Sequence, residues 1–175
     1  MEKVASSVLF IFLICSSFSA NHPAGEKIQW ISFEEAEKKL AEKELPVLVD
    51  IYTDWCGWCK VMDQKTYSKS IVAGYLNSKF YAVKFNAESK QPITWRGKVY
   101  KYNPEQKLHS LAKALITGEM GFPNTVFIAN KQADPQSIAG YLTPKDLQVF
   151  VTYFGESKNR EVDFNTYARN FKPNW

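Results

Sequence analysis

The chain has 175 residues, 45% of them hydrophobic and 15% aromatic, so it can bury a core, fits one domain better than two and is not a disordered chain. Its 22 basic and 18 acidic residues leave a formal net charge of +4 that no long run of like charge concentrates. That balance gives no reason to propose nucleic acid as a partner.

Residues 1–19 read as a secretory signal peptide: Lys3 precedes the apolar run Val8–Ile14, and the small residues Ser16, Ser17, Ser19 and Ala20 follow. The run falls well short of the roughly 20 apolar residues a membrane-spanning helix needs. Cleavage is expected after Ser19, giving an exported chain that is periplasmic or secreted. Cys15 is a candidate lipid anchor that would hold the chain at a membrane, although the bulky Ile14 departs from the small residue expected before a lipid-bearing cysteine.

Residues 20–27, with Pro23 and Gly25, read as a linker, and Ile28, Trp30 and Ile31 suit a short strand. Ser32 then stands as a cap, with Glu35 in the capping-box position, before a helix over 33–43. The run Pro46–Tyr52 is apolar and rich in β-branched residues apart from Asp50, the composition of a central strand covered on both faces. A helix is expected to begin at Cys56 or Gly57 and run through Tyr67. Phe80–Asn86 reads as a second buried strand, which makes strand, helix and strand a right-handed parallel unit. Ile93–Tyr100 reads as a hairpin about Gly97, and Glu105–Ile116 as a helix with Leu108, Leu111, Ala112 and Leu115 on one face. Phe122–Ala129 and Ser137–Tyr141 supply two more strands. Thr143, with Pro144 at the first helical position, opens a closing helix that carries Leu147, Phe150, Val151 and Phe154.

Without its leader the chain holds two cysteines, Cys56 and Cys59. A bridge across two intervening residues closes almost no loop, so it adds little as a staple and points to chemistry instead. A cysteine at a helix N-terminus meets the positive end of the helix dipole and free N–H groups, which makes Cys56 the expected nucleophile. Cys59, one turn on and expected to be less exposed, is placed to resolve a mixed disulfide. Asp50, in a hydrophobic strand, is expected to have a raised pKa and to take the proton that Cys59 loses; the alternative is a strand-end carboxylate facing solvent. Trp55, Trp58 and Phe122 would rim the cysteines with apolar surface. Trp95 and Tyr100 either cover the site or pack across their own hairpin, and Lys60 and Lys84 either tune the thiolates or are solvated charges. A zinc site would have to recruit His22 and His109, the only histidines, so neither metal nor cofactor is expected.

The segment Val47–Lys60 resembles the active-site strand and helix start of the thioredoxin family, with its buried aspartate, the tryptophan before the first cysteine and the lysine after the second. Gly121–Thr125 resembles the loop whose cis-proline faces the cysteines. Val83–Asn86 resembles the next core strand, whose lysine lies near the aspartate, and Gly140 with Leu142–Leu147 the last strand and final helix. Four motifs in order are far more specific than two spaced cysteines. The resemblance implies an α/β, thioredoxin-like fold: a central mixed sheet flanked by helices over residues 28–155, with a hairpin-containing insertion at about 90–118. It also implies that Pro123 is cis and leaves the Phe122 backbone free to pair with an extended substrate strand. Three departures stand out. Trp58 replaces the proline of thioredoxin itself, the 90–118 segment looks more like exported bacterial proteins related to the C-terminal domain of membrane disulfide reductases, and residues 156–175 extend past the fold with Phe164, Tyr167, Phe171 and Trp175 as anchors.

The function expected is that of an exported thiol–disulfide oxidoreductase reducing protein disulfides, with disulfide-containing proteins as substrates and a membrane protein as electron donor. Disulfide oxidase or isomerase is the alternative, disfavoured because such proteins usually carry histidine between the cysteines. A non-catalytic binding module of the same fold is the other; it would not need Asp50, both cysteines and the proline loop together.

Overall fold

The computed structural model describes residues 25–175. The signal peptide, the cleavage point after Ser19, Cys15, His22 and the first part of the linker lie outside the described residues. Helix α1 (Phe33–Glu42) starts where the Ser32 hydroxyl accepts the Glu35 N–H at 3.1 Å, and it turns Phe33, Ala36 and Leu40 inward. Strand β1 (Val47–Tyr52) leads to α2 (Gly57–Met62).

The helix expected to run unbroken to Tyr67 changes character after Met62, where Asp63–Tyr67 form a π-helical turn whose wider spacing is closed by the Ser68 N–H on the Asp63 carbonyl at 3.0 Å. Helix α3 (Ser70–Lys79), which sequence pattern does not reveal, then leads to β2 (Tyr81–Asn86). The hairpin forms as β3 (Ile93–Trp95) and β4 (Lys98–Tyr100). A two-residue ladder, β5 (Tyr102–Asn103) with β6 (Leu108–His109), occupies the start of the helix expected over 105–116. The Asn103 side chain accepts the N–H groups of Glu105 and Gln106 at 2.9 and 3.1 Å, building a turn there, so α4 begins only at Ser110 and ends at Leu115.

Strands β7 (Asn124–Ile128) and β8 (Gln136–Ala139) complete a four-stranded mixed sheet in the order β2-β1-β7-β8, with β1 and β2 parallel and the other pairs antiparallel. The strand expected at 28–31 amounts to one bridge, Ile31 to Val83. Helix α5 (Pro144–Gly155) opens with a full capping box between Thr143 and Asp146.

Alternation along the strands divides the core in two. Val47, Val49, Ile51, Val83, Phe85, Val126 and Ile128 pack against α1, α4 and Trp95. Leu48, Ala82 and Phe127 pack against residues of α2, α3 and α5 such as Met62, Leu76 and Leu147. Each buried Val, Ile, Leu, Met or Phe among them contributes about 1.5–3 kcal/mol by leaving water. The C-terminal residues add α6 (Phe164–Asn170) to this second side, where Phe164 stacks on Phe150 at 4.8 Å and Trp175 meets Tyr75 edge-on at 5.5 Å. The Gln148 side-chain Oε1 holds the last residues by accepting the N–H groups of Asn174 and Trp175 at 2.7 and 3.2 Å. At the other end, the Gly25 N–H donates to the Ser70 hydroxyl at 3.1 Å and the Asn77 amide to the Lys27 carbonyl at 3.0 Å.

Candidate active site

Cys56 is the N-cap of α2: its own N–H donates to the Thr53 carbonyl at 3.1 Å, and its sulfur accepts the Cys59 N–H at 3.0 Å. The two cysteines are joined as a disulfide with Cα atoms 5.3 Å apart. Cys56 is 4% exposed and Cys59 5%, so the expected difference in exposure is not seen; with the bond closed, each sulfur shields the other.

Around this buried disulfide stand exposed aromatic rings. Trp55 is 67% exposed and Trp58 61%. Trp55 donates its indole N–H to Glu88 at 3.1 Å and meets Phe122 edge-on at 6.0 Å. Trp58 stacks on Tyr141 at 5.7 Å. The Phe122–Pro123 bond is cis, and the Pro123 carbonyl accepts the Gly140 N–H at 2.8 Å. Met120, just before this loop, is also exposed.

Beneath the rim lies a charged cluster. Asp50 of β1 is 2% exposed and sits opposite Lys84 on β2 and Thr125 on β7. Its Oδ2 pairs with the Lys84 ammonium at 3.2 Å, and the same ammonium donates to Asp63 of the π-helical turn. Burial pushes the Asp50 pKa up from 3.8 to about 6, with Lys84 partly opposing the rise. Burial pulls Lys84 down, but its two carboxylates outweigh that and leave it above its ordinary value. Lys84 also lies over the rings of Trp30, Tyr52 and Tyr67 at 5.3, 5.2 and 5.8 Å, which favour the charged form. Burial raises Tyr67 well above the tyrosine range, keeping it a neutral hydroxyl 3.5 Å from that of Thr125. Asp50 Oδ1, Thr53 Oγ1 and both polar side-chain atoms of Asn124 are buried with no partner among the described residues.

The structure thus brings Cys56, Cys59, Trp55, Trp58, Phe122 and Pro123 to one end of the sheet, with Asp50 and Lys84 in the strands leading to it. Lys60 is exposed on α2 and forms no ion pair among the described residues. Trp95 does not cover the site: it is 3% exposed and packs on Phe33 in the α1 side of the core, and Tyr100 packs against the same cluster. His109 is a core residue, its Nδ1 accepting the Leu111 N–H at 3.2 Å and its Nε2 3.0 Å from the Gln91 carbonyl. Among the described residues no group of three or more His, Cys, Asp or Glu gathers as a metal site, and no helix is long and apolar enough to cross a membrane. Glu88, Tyr141 and Asp63 are site residues that sequence reasoning misses; their signal is contact with residues far away in the chain.

Among solved structures the chain is similar to a DsbH oxidoreductase, at 23% identity over 76% of this chain and 88% of that one, with a TM-score of 0.53. It is also similar to a thioredoxin-fold protein from Helicobacter pylori, at 12% identity over 71% and 83% with a TM-score of 0.55. A third match is a putative disulphide-isomerase from Bacteroides thetaiotaomicron, at 25% identity over 74% and 95% with a TM-score of 0.51. These likenesses establish the thioredoxin fold. A family model, Thioredox_DsbH, described as "Protein of unknown function, DUF255", matches residues 14–157. With that match over most of its length and a cysteine pair at the head of α2, the chain belongs to the DsbH-type family of thioredoxin-like oxidoreductases.

Proposed function

We propose that the protein is an exported reductase of protein disulfides, with Cys56 as nucleophile, Cys59 as resolving thiol and Asp50 as proton acceptor. The observation that carries this reading is the Cys56–Cys59 pair at the head of α2, reached by a strand that bears a buried carboxyl with a pKa of about 6. Helix α2 proper is short, so the nearest support for a Cys56 thiolate is the Cys59 N–H aimed at its sulfur at 3.0 Å.

The Cys56 thiolate attacks one sulfur of a substrate disulfide. That bond breaks, a Cys56–substrate bond forms, and the other substrate sulfur leaves as a thiolate and is protonated from water. Cys59 then gives its proton to Asp50 and attacks the Cys56 sulfur, closing the intramolecular disulfide and releasing the second substrate sulfur as a thiolate that is likewise protonated from water. The substrate gains two electrons and two protons, and the protein dithiol loses them. A dithiol donor, for which we propose a membrane protein, reverses the change on the protein. With its pKa near neutrality, Asp50 can take and release the proton within one cycle. Lys84 acts on the thiols through Asp50, and Trp55, Trp58, Phe122 and Pro123 receive the substrate chain.

Cys59→Ser is expected to accumulate mixed disulfides through Cys56, read as reducible adducts on gels; recovering none from the native compartment favours a binding module. The Cys56–Cys59 potential is expected at about −270 to −200 mV by equilibration with glutathione. A value near about −120 mV overturns the reductase reading, and one near about −180 mV supports isomerase activity, the activity attributed to the Bacteroides protein. Export rests on Lys3 and the Val8–Ile14 run and is tested by the N-terminal sequence of the protein recovered from cells.

A further inference from the structure

Tyr141 lies just outside β8, between two residues whose backbone groups are tied to other elements. Gly140 has φ +96°, in the left-handed region that glycine tolerates, and it turns the chain out of β8. The Gly140 N–H is held by the Pro123 carbonyl at 2.8 Å. On the other side, the Leu142 carbonyl accepts the buried Thr66 hydroxyl at 2.6 Å, a bond supplied by the π-helical turn. Tyr141 therefore stands between one anchor on the proline loop and another on the segment that continues the cysteine helix. Its ring stacks on Trp58 at 5.7 Å with 29° between the planes, so the pair presents one broad surface while Trp58 stays 61% exposed.

The cysteines on either side of Trp58 in the chain are only 4% and 5% exposed, whereas the Trp58 ring is 61% exposed, so the ring and not the sulfurs offers the contact area. A small polar disulfide gains little there. A polypeptide that lays an apolar side chain across the two rings removes water from both, and because the rings already stack on each other, less ordering entropy opposes it than for two separate rings. We propose that Tyr141 is a specificity-determining residue: with Trp58 it forms a preformed aromatic platform that selects cysteine-bearing polypeptide segments with an apolar or aromatic residue beside the cysteine. The inference rests on the exchange chemistry proposed for Cys56 and Cys59.

The test is single-turnover oxidation of the prereduced protein by three disulfides: a hexapeptide dimer with Phe beside its cysteine, the same peptide with Ser there, and oxidised glutathione. The unaltered protein is expected to favour the Phe peptide. Tyr141→Ala should raise the half-saturating concentration of that peptide about fivefold, the scale of one lost aromatic contact, while the rate with glutathione stays within about twofold. Tyr141→Phe should behave as the unaltered protein, which separates loss of the platform from loss of the fold. An equal loss on all three disulfides, or no loss on the Phe peptide, overturns the proposal. A protein that reacts without favouring the Phe peptide overturns the platform alone, whereas one oxidised by none of the three overturns the exchange reading and the platform with it.

Discussion

The two faces of the central sheet are packed to different ends. Toward α1 and α4, β1 presents Val47, Val49 and Ile51 to a layer of apolar side chains closed by Leu111, Leu115 and Trp95. Toward α2, α3 and α5 the same strand presents Leu48 and then Asp50, a carboxyl buried beside Lys84 and raised to a pKa of about 6. One face gains stability from every position; the other gives up stability at one position, where a carboxyl is buried beside an ammonium. Within one strand, the change of side chain from position 49 to position 50 separates an apolar layer from a buried ion pair.

The comparison is broken most severely on the apolar face. Leu111→Ala, which empties a fully buried position, is expected to cost about 2–5 kcal/mol in urea unfolding while leaving the pH dependence of exchange as it was. A shifted pH profile would show that the faces are coupled. Asp50→Asn should do the reverse. Folding raises this carboxyl from 3.8 to about 6, so the native state binds its proton more tightly than the unfolded chain. Its stabilising contribution is therefore complete below pH 3.8 and disappears as the pH rises toward about 6, a change of order 3 kcal/mol. The oxidised variant should be more stable than the parent at pH 7 by up to that amount and slower in exchange. Equal stability at pH 4 and pH 7 relative to the parent would sink the reading. The smallest effect belongs to His109, which packs on Phe85 of the apolar face and whose pKa burial lowers from 6.5. The unfolded chain takes this proton first, so His109 contributes stability that is present above pH 6.5 and lost as the pH falls below it. A His109→Gln minus parent difference curve should therefore slope opposite to that of Asp50→Asn.

What the sequence disclosed follows the range of the interactions involved. Cys56, Cys59 and Asp50 lie within a few residues of one another, and the strand composition around Asp50 announces its burial before any partner is known. Lys84 was legible only through resemblance, since nothing local marks it as the neighbour of Asp50. Tyr141 and Glu88 acquire meaning from Trp58 and Trp55, partners brought near by folding alone. Helix α3 escaped because its buried residues Val72, Ala73, Gly74 and Leu76 are nearly consecutive and interrupted by a glycine, so no apolar stripe emerges. The helix over 105–116 was half legible: Leu111, Ala112 and Leu115 do turn inward, but the Asn103 turn delays its start.

The attachments at the two ends of the described chain also meet on one element. Gly25 is tied to Ser70 and Trp175 rests on Tyr75, positions separated along α3 by a rise of about 7.5 Å. A flexible peptide joining the two would close residues 25–175 into a ring, and new ends could be opened at the Arg96–Gly97 turn of the hairpin. Such a circular permutant is expected to keep the cysteine site and to melt cooperatively, because what places Trp58 against Tyr141 is the stacking of layers and not the order in which the elements are threaded.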